Sequence, residues 1–222
     1  MKMQFFISLA VTSTLMMGCD SKIEDLESTR PSSNIPVTEV DGVVTGTVSS
    51  TATTDQIMVA STSSEIADSA VTFPPGALSI STAIALGQAT DRNTVVMTEL
   101  GITNAVHATA PVYVGPASGT PPVVGQPLTI QLPLPLEESG TSLVADGELS
   151  KLVLTYVIYD GGWKSGMIPL TSADLSGAYV KQAMAGMGYF QIVYLTKAAA
   201  EKEVTSQVRP GLDGTQTQGG DR

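Results

Sequence analysis

The sequence predicts an all-β protein, an antiparallel β-sandwich of the Greek-key type. Three observations lead there. Charged residues make up only 14% of the 222-residue chain, while Thr, Ser and Gly abound and there are 13 prolines. β-Branched residues and turn formers of this kind favour strands and tight connections over helices. Short apolar or alternating runs recur at hairpin-to-Greek-key spacing between residues 42 and 196, as in a sandwich. One hairpin is spelled out locally: an apolar run ends in Asp160-Gly161-Gly162, and Trp163 starts the return, because Asp-Gly and Gly-Gly tolerate the backbone of a tight turn.

The chain begins before that domain. Met1 to Gln4 carry one basic residue, Lys2, and residues 5–17 carry no charge. The apolar run is too short to cross a bilayer as a helix, which takes about 20 residues. A basic end, a short apolar stretch and a small-residue exit have the form of a secretory signal. The exit, Met16-Met17-Gly18-Cys19, resembles the bacterial lipoprotein signal, in which a small residue directly precedes the modified cysteine. That resemblance implies cleavage after residue 18, a diacylglyceryl thioether on Cys19 and acylation of its new amino group. Cys19 is the single cysteine of the chain, so it has no partner for a disulfide within it. Residues 19–41 are polar, with Pro31 and Pro36 and no sustained period, and are expected to form a flexible tether.

Within 42–196 the expected strands are 43–48, 56–60, 70–73, 83–88, 95–102, 111–114, 128–132, 152–159, 163–167, 178–182 and 189–195. In Leu128-Thr129-Ile130-Gln131-Leu132 the apolar residues fall on one face, the period of a half-buried strand. In 152–159 both faces are apolar except at Thr155, which marks a central strand. Between 70 and 79 a strand meets Pro74-Pro75-Gly76 and re-enters through Ala77 and Leu78. Proline fixes φ there and glycine frees it, so a rigid corner is expected, with Ala77 and Leu78 turned inward. Ala, Lys and Glu in 197–204, with Lys197 and Glu201 four apart, favour a short helix. From Arg209 to Arg222 the chain is polar and Gly-rich, the composition of a disordered tail.

The segment Ala70-Val71-Thr72-Phe73-Pro74-Pro75-Gly76-Ala77-Leu78 resembles the "IPPGAL" phrase of the ZU-five domain, a β-sandwich found in ankyrins, netrin receptors and some bacterial surface proteins. Further likenesses follow in the family's order: Ile84 and Leu86, then Gln126 to Pro133, then Tyr156 to Trp163, then Gly188-Tyr189-Phe190. The resemblance covers roughly residues 42–196 and implies an interaction module. Some members cut themselves at His-Phe-Ser. The comparable place here, Gly188-Tyr189-Phe190-Gln191, has neither the histidine nor the hydroxyl, so self-cleavage is not implied.

Charge and chemistry narrow the function. The chain carries 11 basic and 21 acidic residues. Without Lys2 the balance is 10 against 21, a net charge of −11. Such a surface has no basic patch for nucleic acid or anionic headgroups, so the expected membrane contact is the lipid alone. The one histidine, His107, has no glycine-flanked serine elbow to serve as its nucleophile. One imidazole and one lipidated thiol fall short of a zinc ligand set. Glu137 and Glu138 are neighbours on an extended chain and point to opposite faces, unlike a catalytic pair. Asp160 suits its turn and lacks the aspartate ladder of a calcium loop. Gly186-Met187-Gly188 lacks the lysine of a phosphate loop, and Met184 and Met187 suit a core as gap fillers. The expectation is a lipid-anchored, non-catalytic binding or structural protein of the cell envelope, in either membrane and facing the periplasm or exterior. It needs no cofactor or metal, and its partner is another envelope protein. The alternatives are a carbohydrate-binding surface domain, which needs exposed rings such as Tyr113, Tyr179 or Trp163, and a hydrolase using His107.

Overall fold

The computed structural model describes residues 31–89, 93–135 and 149–206. The strands are β1 (Val37–Val40), β2 (Val43–Val48), β3 (Gln56–Val59), β4 (Ala70–Phe73), β5 (Thr82–Gln88), β6 (Ala105–Ala108), β7 (Val112–Pro116), β8 (Leu128–Pro133), β9 (Leu152–Tyr159), β10 (Trp163–Pro169), β11 (Leu175–Ser176), β12 (Tyr179–Met184), β13 (Met187–Leu195) and β14 (Lys202–Thr205). One helix, α1 (Asn93–Leu100), lies between β5 and β6. Two antiparallel sheets form. The larger runs β1-β2-β5-β7-β13-β9-β10-β14, with β6 also on β13, and the smaller runs β11-β12-β8-β4-β3. The protein is the all-β sandwich that its sequence pattern predicts.

The main core fills the space between the sheets. Val44, Ile84, Leu86, Leu154, Ile158, Phe190 and Ile192 of the larger sheet belong to one cluster with Met58, Val71, Phe73, Leu128, Ile130 and Leu132 of the smaller. In β8 the apolar residues 128, 130 and 132 all join it, as the period of two requires. Ala77 and Leu78 are buried beside them, and the turn before them is closed by the Ala77 N–H donating to the Pro74 carbonyl at 3.0 Å.

A second, smaller core covers the other face of the larger sheet. Val153 and Val157 of β9, Tyr189 and Val193 of β13 and Tyr113 of β7 pack with Leu100 of α1, and Met97, Ile102, Trp163 and Val204 close over them. This explains why β9 is apolar on both faces. Leu152, Leu154, Tyr156 and Ile158 point to the first core, and Val153 and Val157 to the second. Thr155 is the polar exception. Its hydroxyl donates to the Gln191 carbonyl at 3.2 Å, and the Gln191 amide takes the Tyr189 hydroxyl and donates to the Thr109 carbonyl, each at 2.7 Å. Burial of these polar atoms is tolerated because each has its partner.

Besides β6 and β11, strands that the sequence pattern does not indicate, three stretches differ from expectation. The strand expected over 95–102 is α1. Its stop is a Schellman motif: the Gly101 N–H donates to the Thr98 carbonyl at 3.0 Å and the Ile102 N–H to the Met97 carbonyl at 2.7 Å, with Gly101 at φ 67°. The helix expected over 197–204 is instead a turn followed by β14, which pairs with β10 from Lys164↔Thr205 to Met167↔Lys202. A helix that short gains little by itself, whereas the strand satisfies the edge of β10. Part of the span 19–41, expected as a tether, is a strand, β1 at Val37–Val40. The β1–β2 turn is Asp41-Gly42, with φ 51° and 77°, and Val40 faces Val43 across it. Two positive φ values in a two-residue loop make the mirror-image turn that matches strand twist. The tail expected from Arg209 onward lies outside the described residues.

Candidate functional site

Several residues singled out by the sequence lie outside the described part: Cys19, Glu137 and Glu138. His107 lies in β6, opposite Tyr194 in the register with β13, and its side chain is outside the description too. Asp160 sits in the β9–β10 hairpin and takes the Lys164 ammonium at 3.4 Å, and Lys164 also lies 3.5 Å from Glu203. Met184 and Met187 are both in the main core. Tyr113 and Tyr179 are buried, so neither offers an exposed ring to a sugar. Trp163 is half-buried and meets Tyr159 edge-on, with ring centroids 5.4 Å apart and planes at 64°. Among the described residues, no group of three or more His, Cys, Asp or Glu side chains gathers to hold a metal, and no helix is long and apolar enough to cross a membrane.

The polar clusters that do form join elements. Glu99 of α1 accepts from Ser165 of β10 and from the Ser206 hydroxyl at 3.0 Å. Lys202 of β14 donates to the Leu100 carbonyl at 2.8 Å, at the helix end. A cation there completes an orphan carbonyl and faces the negative end of the helix dipole. Ser165 is fully buried, so its hydroxyl acts as a clasp between helix and sheet and is closed to a substrate. The Tyr156 hydroxyl donates to Glu203 of β14 at 2.9 Å. Burial, then the bond to Glu203, raises the phenol far above its ordinary range. Sequence reasoning missed these clasps because Glu99, Ser165 and Ser206 are far apart in the chain and belong to no motif.

The sheet edges differ from one another. The segment before β1 caps β3: the Asn34 side chain accepts from the Ile57 N–H at 2.7 Å and donates to the Asp55 carbonyl at 2.9 Å. The Asn34 N–H donates to the Ile57 carbonyl at 3.2 Å, and the Ser33 hydroxyl takes the Val59 N–H at 3.0 Å. β11 has only two residues. β14 is short and carries Lys202 and Glu203. β1 is exposed along its whole length, and among the described residues no strand pairs with its outer edge. Val37 and Val40 are two of the exposed large apolar residues of the surface, Val40 at 67%. Glu39 is turned toward the smaller sheet's connections, where Ser61 and Ser63 donate to it.

No family model matches this chain, and no curated protein matches it.

Proposed function

We propose that this chain is a lipid-anchored protein of the bacterial envelope, tied to a membrane through Cys19, whose sandwich works as a non-catalytic binding or structural module. The observation that carries the reading is the uncharged run ending in Gly18-Cys19, with Cys19 the sole cysteine of the chain. One acyl chain holds a protein only marginally, while two or more hold it stably, and the lipoprotein signal that this segment resembles leads to such multiple acylation. The likeness to ZU-five domains supports a binding role, since interaction is that family's main work. The clasps of Glu99, Ser165, Ser206 and Lys202 support it too, because their polar atoms are taken up in holding helix to sheet.

On this reading the partner is another envelope protein, met by the sandwich beside the membrane. The test is Cys19→Ala, followed by membrane fractionation and labelling with a fatty-acid analogue. The wild type is expected in the membrane pellet with label, and the variant unlabelled in the soluble fraction. A variant that still pellets, together with an unlabelled wild type, overturns the anchor.

A further inference from the structure

Among the described residues the β3 edge is capped, β11 has two residues and β14 carries Lys202 and Glu203, devices that commonly blunt an edge, whereas β1 presents four exposed residues, three of them β-branched. The Asp41-Gly42 turn makes Val40 and Val43 the closing hydrogen-bonded pair of the hairpin. Alternation along an antiparallel ladder then directs the backbone groups of Val37 and Glu39 to the open side. We infer that this edge is a self-association site, where a second copy of the chain adds its own β1 antiparallel across a twofold axis at Thr38.

The register follows from symmetry and charge. An isologous contact relates the same strand to itself, and residues opposite one another must share a face. Pairing through the outward groups of Val37 and Glu39 leaves three registers. Glu39 against Glu39 of the second copy opposes like charges, which costs stability. Val37 against Val37 of the second copy leaves Glu39 beyond the strand, facing residue 35. The remaining register sets Val37 against Glu39 of the second copy, Thr38 against Thr38, and exposed Val40 against Pro36. It uses the whole strand, opposes no like charges and covers Val40 with an apolar neighbour. The inference is independent of the anchor, because it concerns the sandwich alone.

The test uses the full-length chain with Cys19→Ser, so that an introduced cysteine is the one thiol present. Thr38 sits on the axis in a non-hydrogen-bonded pair. Its Cα would be about 4.5 Å from its mate, within disulfide reach. Val40 is as accessible, but the two Val40 positions are four residues apart along the strands, far beyond that reach. At high protein concentration under mild oxidation, Thr38→Cys is expected to give a covalent dimer of twice 23.0 kDa, roughly tenfold or more faster than Val40→Cys. Equal melting of both variants under reducing conditions shows that both are folded. Equal cross-linking rates, or no dimer from either, overturn the inference. So does capture of a different protein in place of a second copy when Thr38→Cys is oxidised in intact envelopes.

Discussion

At the scale of single residues, the tightest constraint is a glycine beneath a ring. Gly166 of β10 stands directly opposite Tyr156 of β9, and a Cβ at position 166 would lie 2.2 Å from the ring's Cζ and Oη. The ring has nowhere easy to go, since its face is in the main core and its hydroxyl is tied to Glu203. Gly166→Ala is therefore expected to destabilise the fold by about 1–3 kcal/mol, as overpacking does, and to lower the melting temperature. In a Tyr156→Ala background the clash disappears and the same substitution should cost little, because contacting residues are not additive. Equal costs in both backgrounds would place the effect in the strand backbone instead. The sequence shows Gly166 as one small residue in an expected strand. Its reason depends on the register with β9.

At the scale of elements, what the sequence made legible was local chemistry, and what it hid was pairing. Strands with period two and the Asp160-Gly161-Gly162 hairpin depend on neighbours along the chain, and they are found where the pattern puts them. Helix α1 was misread because Val95 and Val96 favour strands, although Gly101 supplied a helix stop that the pattern alone could have revealed. β14 was misread because Lys and Glu favour helix, while the open side of β10 decides its state. β1 was hidden by its polar surroundings, yet Asp41-Gly42 between two valine-flanked runs is a strong hairpin signal. The cap on β3 had no such signal, because it joins Asn34 to Ile57 across the sandwich edge. Asn34→Ala should remove the two side-chain bonds and keep the backbone one, at a cost of about 1 kcal/mol. Hydrogen exchange at the Ile57 amide should then speed up roughly fivefold or more. An unchanged Ile57 rate would mean that the side chain does not protect that edge.

At the scale of the whole molecule, one sheet carries two cores. The main core joins both sheets, and Ile130 lies at 1% exposure within it. Ile130→Ala should cost about 2–5 kcal/mol in chemical denaturation, and a loss below 1 kcal/mol would show that the sheets are less closely packed than described. The alternation around Ile130 made this face legible in the sequence. The second core was legible only as the double-sided apolarity of residues 152–159, since its cover comes from α1, Trp163 and Val204, brought together by the fold. The candidate site divides the same way. Cys19 is proposed from a contiguous signal alone, whereas the clasps and the open edge of β1 exist only once distant strands have paired.

The position of β13 has a bearing on how the chain matures. It is among the last strands in sequence, yet it lies in the middle of the larger sheet, with β7 on one side and β9 on the other. Until residues 187–195 are available, that sheet can exist only as two separate ribbons, β1-β2-β5-β7 and β9-β10, each with a raw inner edge. Contacts so distant in sequence close slowly, and raw edges invite association in the meantime. A chain threaded through a membrane from its N-terminus would thus present most of its strands before the keystone arrives. On the proposed export route, assembly of the larger sheet would wait on the end of translocation, and in a chain truncated ahead of residue 187 no strand would pair β7 with β9.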